Sequence, residues 1–142
     1  TMPRADFYLI DKPRFRSEPL RLVCALVAKA HEAGQPCLVL ADSMARAEEL
    51  DDLLWAFDPE SFIPHQIAGQ GDDDVDVPVL IVPPGVTTAE RPLLMNLREA
   101  PVEGRFERVL EIVPADEAAR GASRERWKAY RERGLTVSKF DM

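Results

Sequence analysis

The chain has 142 residues, of which 46% are hydrophobic and 30% are charged, and this balance is typical of a globular protein that closes its core without disulfide or metal staples. Its formal net charge of -7 argues against direct binding to duplex DNA, since proteins that bind DNA without regard to sequence carry a basic surface. The length fits one domain, residues 1–142.

Apolar runs suited to strands alternate with amphipathic segments suited to helices. In the first part of the chain, the sequence predicts a strand at 5–10, a turn at 11–16, a helix from Ser17 to a stop at Gly34 and a buried strand at 36–41. A second helix, capped by Asp42 or Ser43, is expected to end near Trp55 or Phe57, followed by a short strand at 61–67 and an acidic loop at 69–76. The last part is predicted to hold strands at 77–82, 93–97 and 105–113, a helix from 115 or 116 to a stop at Gly134, and an edge strand at 135–140.

This alternation predicts a single-domain, three-layer α/β fold. The expected sheet is open and mostly parallel with helices on both faces, as in Rossmann-like folds. The turn after the first strand, residues 11–14, contains no glycine, so its backbone cannot approach a pyrophosphate in the way a phosphate-binding loop does. We therefore expect no nucleotide cofactor.

The candidate nucleophiles, bases and metal ligands give no coherent site. His31 lies near a predicted helix end and His65 in a strand-like stretch, and both are interpreted as structural. Cys24 and Cys37 lie among aliphatic residues, which indicates buried reduced thiols, and the spacings of these four residues are not those of a zinc site. We expect neither catalysis nor a metal. The thiols and the lack of a signal-like N-terminus or a long apolar run indicate a cytoplasmic protein with no membrane partner.

The last predicted helix carries the strongest functional signal. Six of the eighteen basic residues lie between 120 and 133. At 100° per residue, one face of about 100° holds a tryptophan and four cations, namely Arg120, Arg124, Trp127, Lys128 and Arg131. The opposite face, with Ala118, Ala122 and Ala129, is expected to pack on the sheet. An aromatic ring among cations suits an acidic peptide or a C-terminal carboxylate, although a merely solvated charged face is the alternative.

A second aromatic cluster lies at the end of the preceding helix. Trp55 and Phe57 are followed by Phe62. Such residues either close the core or anchor a protein partner, because aromatic side chains dominate interface hot spots. Phe57 is a better core candidate than Trp55.

The residues that carry these signals also resemble a known family. Residues 5–9 read Ala-Asp-Phe-Tyr-Leu, residues 53–55 and 61–65 read Leu-Leu-Trp and Ser-Phe-Ile-Pro-His, and residues 124–131 read Arg-Glu-Arg-Trp-Lys-Ala-Tyr-Arg. Together they resemble the chi subunit family of bacterial DNA polymerase III over nearly the whole chain.

The resemblance implies a non-catalytic accessory subunit of the clamp loader, which acts in DNA replication and contacts DNA only indirectly. Its implied partners are the psi subunit and the acidic C-terminal tail of single-stranded-DNA-binding protein. In the implied tail site, Arg124 receives the terminal carboxylate, Trp127 and Val113 hold the terminal apolar ring, and Arg120 and Lys128, near Arg131, attract upstream acids. Trp55 and Phe62 are implied to dock psi or a repair helicase.

Two other classes of function stay open from the residues alone. The predicted sheet would suit a nucleotide-dependent enzyme or a relic of one, but this sequence lacks the glycine-rich loop that such an enzyme needs. A protein that binds single-stranded nucleic acid directly suits the cations around Trp127, and the net charge of -7 opposes it.

Overall fold

A computed structural model describes residues 3–57, 62–70 and 74–142. The elements within this part of the chain are β1 (Arg4–Leu9), α1 (Pro13–Ser17), α2 (Pro19–Glu32), β2 (Cys37–Leu40), α3 (Met44–Phe57), β3 (His65–Ile67), a 3-10 turn (Asp74–Asp76), β4 (Val79–Val82), β5 (Leu93–Asn96), β6 (Arg108–Val113), α4 (Glu117–Glu132) and β7 (Thr136–Asp141). The start of the predicted strand at residue 61 and the middle of the predicted acidic loop at 71–73 lie outside the described residues.

The seven strands form one sheet in the order β3-β4-β2-β5-β6-β1-β7. Every neighbouring pair is parallel, which confirms the predicted α/β class. Strands β2 and β4 lie inside the sheet and are almost continuously apolar and buried, as expected of parallel strands that are covered on both faces. The predicted edge position of the last strand is confirmed, because β7 pairs only with β1 among the described strands.

Two apolar cores lie on opposite faces of the sheet. One includes side chains from α1, α2 and α3, and its partners on the strands include Val39, Ile81 and Met95. The other lies beneath α4 and includes Phe7, Leu38 and Tyr130. Helices therefore cover both faces, and α4 alone among the described helices packs on the second one.

Most helix ends follow their predicted signals. The Ser43 hydroxyl accepts a hydrogen bond from the Arg46 N–H at 3.0 Å, and the Asp116 carboxylate caps α4 by accepting one from the Ala119 N–H at 2.8 Å. The chain leaves α4 through Gly134, whose φ of +84° suits glycine. The helix predicted to start at Ser17 starts at Pro19 instead, and the Glu18 carboxylate at its N-cap accepts no capping hydrogen bond.

The segment at 11–16, predicted as a turn, overlaps the short helix α1. Pro13 occupies its first turn, where a missing N–H costs nothing. Phe15 anchors the helix because its side chain is buried in the core with α2.

The predicted buried face of α4 is also wrong. Ala118 is exposed and Ala122 and Ala129 are only half-buried, whereas Ser123, Arg126 and Tyr130 are buried. The helix is rotated in this way because Arg126 and Tyr130 reach a carboxylate within the sheet, and burying that carboxylate without partners would cost far more than leaving alanines half-exposed.

Candidate functional site

A concavity of about 510 Å³ lies between α4 and the sheet edge formed by β1 and β7. It is lined by Phe7, Leu9, Arg120, Ser123, Arg124, Trp127, Lys128 and Lys139. Four of the six residues expected from the sequence, three cations and the tryptophan, therefore lie around one opening. None of the described residues that line it is acidic, so the concavity is suited to an anionic ligand.

The floor of the concavity is aromatic and aliphatic. The Trp127 ring lies 5.1 Å from the Phe7 ring, measured between centroids, with the planes tilted by 51°. Trp127 is half-buried and packs against the α4-side core, so its indole is fixed in place and does not lie freely over the arginine stems. A fixed ring loses little conformational entropy when it binds an apolar group.

The cations of α4 differ in how far they are already engaged. The Arg120 guanidinium donates a 2.7 Å hydrogen bond to the Ile10 carbonyl at the end of β1. Lys128 lies 3.7 Å from the Glu125 carboxylate, and both side chains are largely exposed, so this pair is weak. Arg124 is exposed and has no hydrogen bond or ion pair to any part of the chain that the structure describes. Among the α4 cations that line the concavity, Arg124 is therefore the most available to a ligand.

The other two expected residues do not line the concavity. Val113 is fully buried in the core beneath α4 and presents no surface to a ligand. Phe7 and Leu9 are the apolar residues that line the concavity together with Trp127. Arg131 is exposed on α4 beyond the lining residues.

Sequence reasoning missed Phe7, Leu9, Ser123 and Lys139 as lining residues. Lys139 of β7 is the parallel register partner of Phe7 in β1, and it is exposed without a hydrogen bond or ion pair to the described residues. The alternation of a strand could have placed Lys139 on the same face as Val137. That this face meets α4 depends on strand pairing, which the sequence alone does not give.

A buried polar network holds α4 against the sheet. Glu111 of β6 is fully buried. Its Oε1 accepts a 2.8 Å hydrogen bond from the Arg126 Nε, and its Oε2 accepts bonds from the Tyr130 hydroxyl at 2.5 Å and from the Asn96 Nδ2 at 2.9 Å. The Tyr130 hydroxyl also accepts the Val102 N–H at 2.9 Å. This network fixes the rotation of α4 and with it the direction of the concavity's cations.

Burial controls the protonation of this network. Burial raises the pKa of Glu111, and the Arg126 guanidinium opposes that rise. Burial, followed by the charge of Glu111, raises the pKa of Tyr130 well above its usual range. The phenol therefore keeps its proton and serves as a hydrogen-bond donor to Glu111.

Trp55 and Phe62 form a second exposed surface, far more open than a core position. Their side chains are 53% and 64% exposed, and their ring centroids lie 5.6 Å apart. Beneath them, the His65 ring lies 4.6 Å from Trp55. The His65 Nδ1 lies 2.7 Å from the Ile63 carbonyl, and its Nε2 lies 3.2 Å from the Asp51 carbonyl. His65 thus supports the indole from below. Phe57 is 40% exposed, so it also lies at the surface, and it is less exposed than Trp55.

At the carboxyl edge of the sheet, where α/β folds bind nucleotides, Arg98 bridges the ends of two neighbouring strands. Its guanidinium donates 2.9 Å hydrogen bonds to the carbonyls of Ala41 and Val82, at the ends of β2 and β4. The described residues include no group of three or more His, Cys, Asp or Glu side chains placed to hold a metal. Cys24 and Cys37 are free and buried, as predicted. Among the helices that the structure describes, none is long and apolar enough to span a membrane.

The fold is shared with proteins of very different sequence. The chain superimposes on Dbp5 of S. cerevisiae, solved with Nup159, Gle1, IP6 and ADP, with a TM-score of 0.65 and 12% identity over 96% of this chain and 41% of that one. It superimposes on T4 UvsW with a TM-score of 0.62 and 7% identity over 98% of this chain and 41% of that one. The chain thus spans about two fifths of each, and the likeness concerns the fold alone.

Closer relatives share the sequence as well. The chain is 34% identical to DNA polymerase III subunit chi of Escherichia coli, over 96% of this chain and 97% of that protein. It is 38% identical to the protein of the same name from Pseudomonas aeruginosa, over 96% and 94% of the two chains. The profile of the family described as "DNA polymerase III chi subunit, HolC" matches residues 2–138. The chain belongs to the DNA polymerase III chi subunit family.

Proposed function

We propose that this member of the chi family links psi to single-stranded-DNA-binding protein by holding the acidic C-terminal tail of the latter in the concavity beside α4. Membership of the family gives the chain a role as an accessory subunit in DNA replication. One observation carries the finer assignment: an apolar floor of Phe7, Leu9 and Trp127 is bordered by cations and by no acid among the lining residues that the structure describes. A peptide that ends in an aromatic residue with a free carboxylate matches both properties.

Each lining residue has a role in this proposal. The terminal aromatic ring packs against Trp127, with Phe7 and Leu9 in the place first expected of Val113. Arg124 receives the terminal carboxylate through a charge-assisted hydrogen bond, because its guanidinium has no partner within the described chain. Arg120 keeps further N–H donors beyond the one bound to Ile10.

Upstream acids of the tail are attracted by the remaining helix cations. The Lys128 ammonium exchanges its weak contact with Glu125 for an acid of the tail at little cost. Arg131, exposed on the same helix, contributes at longer range. Because these charges are exposed to solvent, binding weakens as salt is added.

The test is the fluorescence anisotropy of a labelled acidic peptide that ends in Asp-Ile-Pro-Phe with a free carboxylate. Wild-type protein is expected to bind it with a dissociation constant on the order of micromolar. Arg124→Ala and amidation of the peptide each remove one partner of the same charge pair, so each is expected to weaken binding at least tenfold. Arg105→Ala is the matched control, since Arg105 is exposed, lies outside the concavity and carries the same charge.

Equal binding of the free and amidated peptides would contradict the carboxylate site. Equal weakening by Arg124→Ala and Arg105→Ala would show that net charge alone governs binding. Retardation of a single-stranded oligonucleotide by the isolated chain, lost in Arg124→Ala, would assign the basic face to nucleic acid instead. In the proposed function the chain reaches DNA only through single-stranded-DNA-binding protein, at the cytoplasmic replisome.

For psi, the proposal uses the surface formed by Trp55 and Phe62. Two adjacent aromatic side chains that are more than half exposed form the type of anchor that dominates protein interfaces. The same surface is the proposed docking site of a repair helicase, which would then compete with psi. Trp55 lies on α3, whereas the concavity lies between α4 and the β1–β7 edge. The two proposed sites are therefore separate, and one chain can hold both partners at once.

A further inference from the structure

We infer that Lys139 of β7 forms a second cationic wall of the concavity and pairs with an acidic side chain upstream of the tail's terminal residue. This inference rests on the proposed tail-binding function and adds a residue that selects the tail's sequence. It starts from strand geometry. Val137 packs against the core beneath α4, and residues two apart in a strand lie on the same face, so Lys139 lies on the face that α4 covers.

The register of the sheet brings Lys139 to the aromatic floor. Lys139 is the Cα partner of Phe7 in the parallel pair of β1 and β7, and the Phe7 ring contacts Trp127. The lysine therefore borders the floor from the strand side, and Arg124 and Lys128 border it from the helix side. A ligand whose ring lies on this floor has cations on two sides.

The cations that line the concavity differ in whether they already have a partner within the chain. Arg120 is bound to the Ile10 carbonyl and Lys128 lies near Glu125. Arg124 and Lys139 are exposed and have no hydrogen bond or ion pair within the described chain. These two uncompensated cations come from different elements, so they are suited to two separate anionic groups of one ligand. If Arg124 takes the terminal carboxylate, Lys139 takes an acidic side chain.

A lysine on an edge strand also has a simpler use, since charges on such strands oppose edge-to-edge aggregation. For that role the lysine needs only to be exposed, on either face of the sheet. It predicts that removing the charge changes self-association and leaves tail binding unchanged, so the two roles are distinguishable.

The experiment is a double-mutant cycle between the protein and the peptide. Binding of the peptide ending in Asp-Ile-Pro-Phe is compared with that of one in which the upstream aspartates are asparagines, for wild type and for Lys139→Gln at low salt. Lys139→Gln is expected to weaken binding of the acidic peptide about two- to fivefold, the range of a solvent-exposed ion pair, and to change binding of the asparagine peptide by clearly less. Lys29→Gln, on the exposed side of α2, is the matched control and is expected to leave both unchanged.

The outcomes separate this inference from the function on which it rests. Binding that depends on Arg124 and the free carboxylate, but is equal in Lys139→Gln and Lys29→Gln, would overturn the role of Lys139 and leave the tail site standing. An equal loss for both peptides would also overturn it, since no acidic partner would be involved. Wild-type protein that fails to bind the acidic peptide would overturn both. Size-exclusion chromatography of Lys139→Gln checks that the variant keeps the wild-type oligomeric state.

Discussion

The Tyr130 hydroxyl on α4 donates a 2.5 Å hydrogen bond to the Glu111 carboxylate on β6, and both residues are fully buried. One bond thus joins the helix that carries the proposed tail site to a strand inside the sheet. Because the same carboxylate also holds Arg126, the rotation of α4 is set by polar contacts as well as by apolar packing. Because this buried pair sets the rotation of α4, it also sets the direction in which the solvent-facing cations of α4 point.

Glu111→Gln is expected to destabilise the fold strongly. The amide keeps the shape of the side chain and leaves the Arg126 guanidinium, 5% exposed, without its counter-charge. Leaving one partner of a buried ion pair uncompensated costs about 3 to 5 kcal/mol. The measurement is the free energy of unfolding in urea. Glu132→Gln, at an exposed position of α4, is the control and should change it by less than about 0.5 kcal/mol. Equal effects of the two substitutions would mean that the network does not stabilise the helix.

Trp127→Tyr is expected to keep tail binding and Trp127→Ala to lose it. A phenol retains a flat surface against Phe7, 5.1 Å from the present indole, whereas alanine leaves the floor open. The loss for alanine should be about tenfold or more, since a central aromatic anchor is removed. Anisotropy with the acidic peptide measures it, and thermal unfolding shows that the alanine variant is folded. Full binding by Trp127→Ala would place the terminal ring elsewhere.

Trp55→Ala and Arg124→Ala are expected to separate the two partners. Trp55 is 53% exposed, so its loss should cost little stability while it weakens psi binding by more than tenfold. Arg124→Ala should weaken tail binding and leave psi binding intact. Isothermal titration of each variant with each partner checks this, with Phe62→Ala as a second probe of the aromatic surface. Loss of both activities in either variant would indicate one shared site.

The two thiols are expected to be inert in the folded protein. Burial raises the pKa of Cys24 to about 11 and that of Cys37 to about 12. At pH 8 both stay protonated and inaccessible, and the thiolate is the reactive form. A chromogenic disulfide reagent should therefore detect no thiol in the native chain and both in denaturant. Rapid native reaction would contradict the burial of these residues.

The same shifts predict that stability falls at alkaline pH. In the unfolded chain the thiols ionise near their ordinary pKa of 9.0, and in the folded chain they keep their protons to about pH 11 or 12. The stabilisation is thus fully present below pH 9 and is lost as pH rises toward these values, at about 1.4 kcal/mol per pH unit for each thiol. Urea unfolding at pH 8 and pH 10 measures the loss, which Cys24→Ala should reduce relative to wild type. An identical loss in both would assign it to other groups.

Patterns within single elements were sufficient for much of the fold. The buried runs of β2 and β4, the start of α4 near residue 116 and the stop at Gly134 depend on neighbours a few residues away, so the sequence predicted them. It also predicted that Arg120, Arg124, Trp127 and Lys128 share a helix face, because helical periodicity alone puts them there. The sequence left open whether Trp55 and Phe62 lie in the core, and the exposure of each side chain shows that they do not.

What the sequence by itself determined is therefore the α/β class, the cationic face of α4 and the resemblance to the chi family. Only the tertiary structure decided which side of α4 is buried, because Glu111 lies in another element and selects Arg126 and Tyr130 over the alanines. It also decided that Lys139, and not Val113, lines the concavity, since that depends on β7 pairing with β1. Both decisions rest on contacts between residues distant in sequence, and no local pattern encodes such contacts.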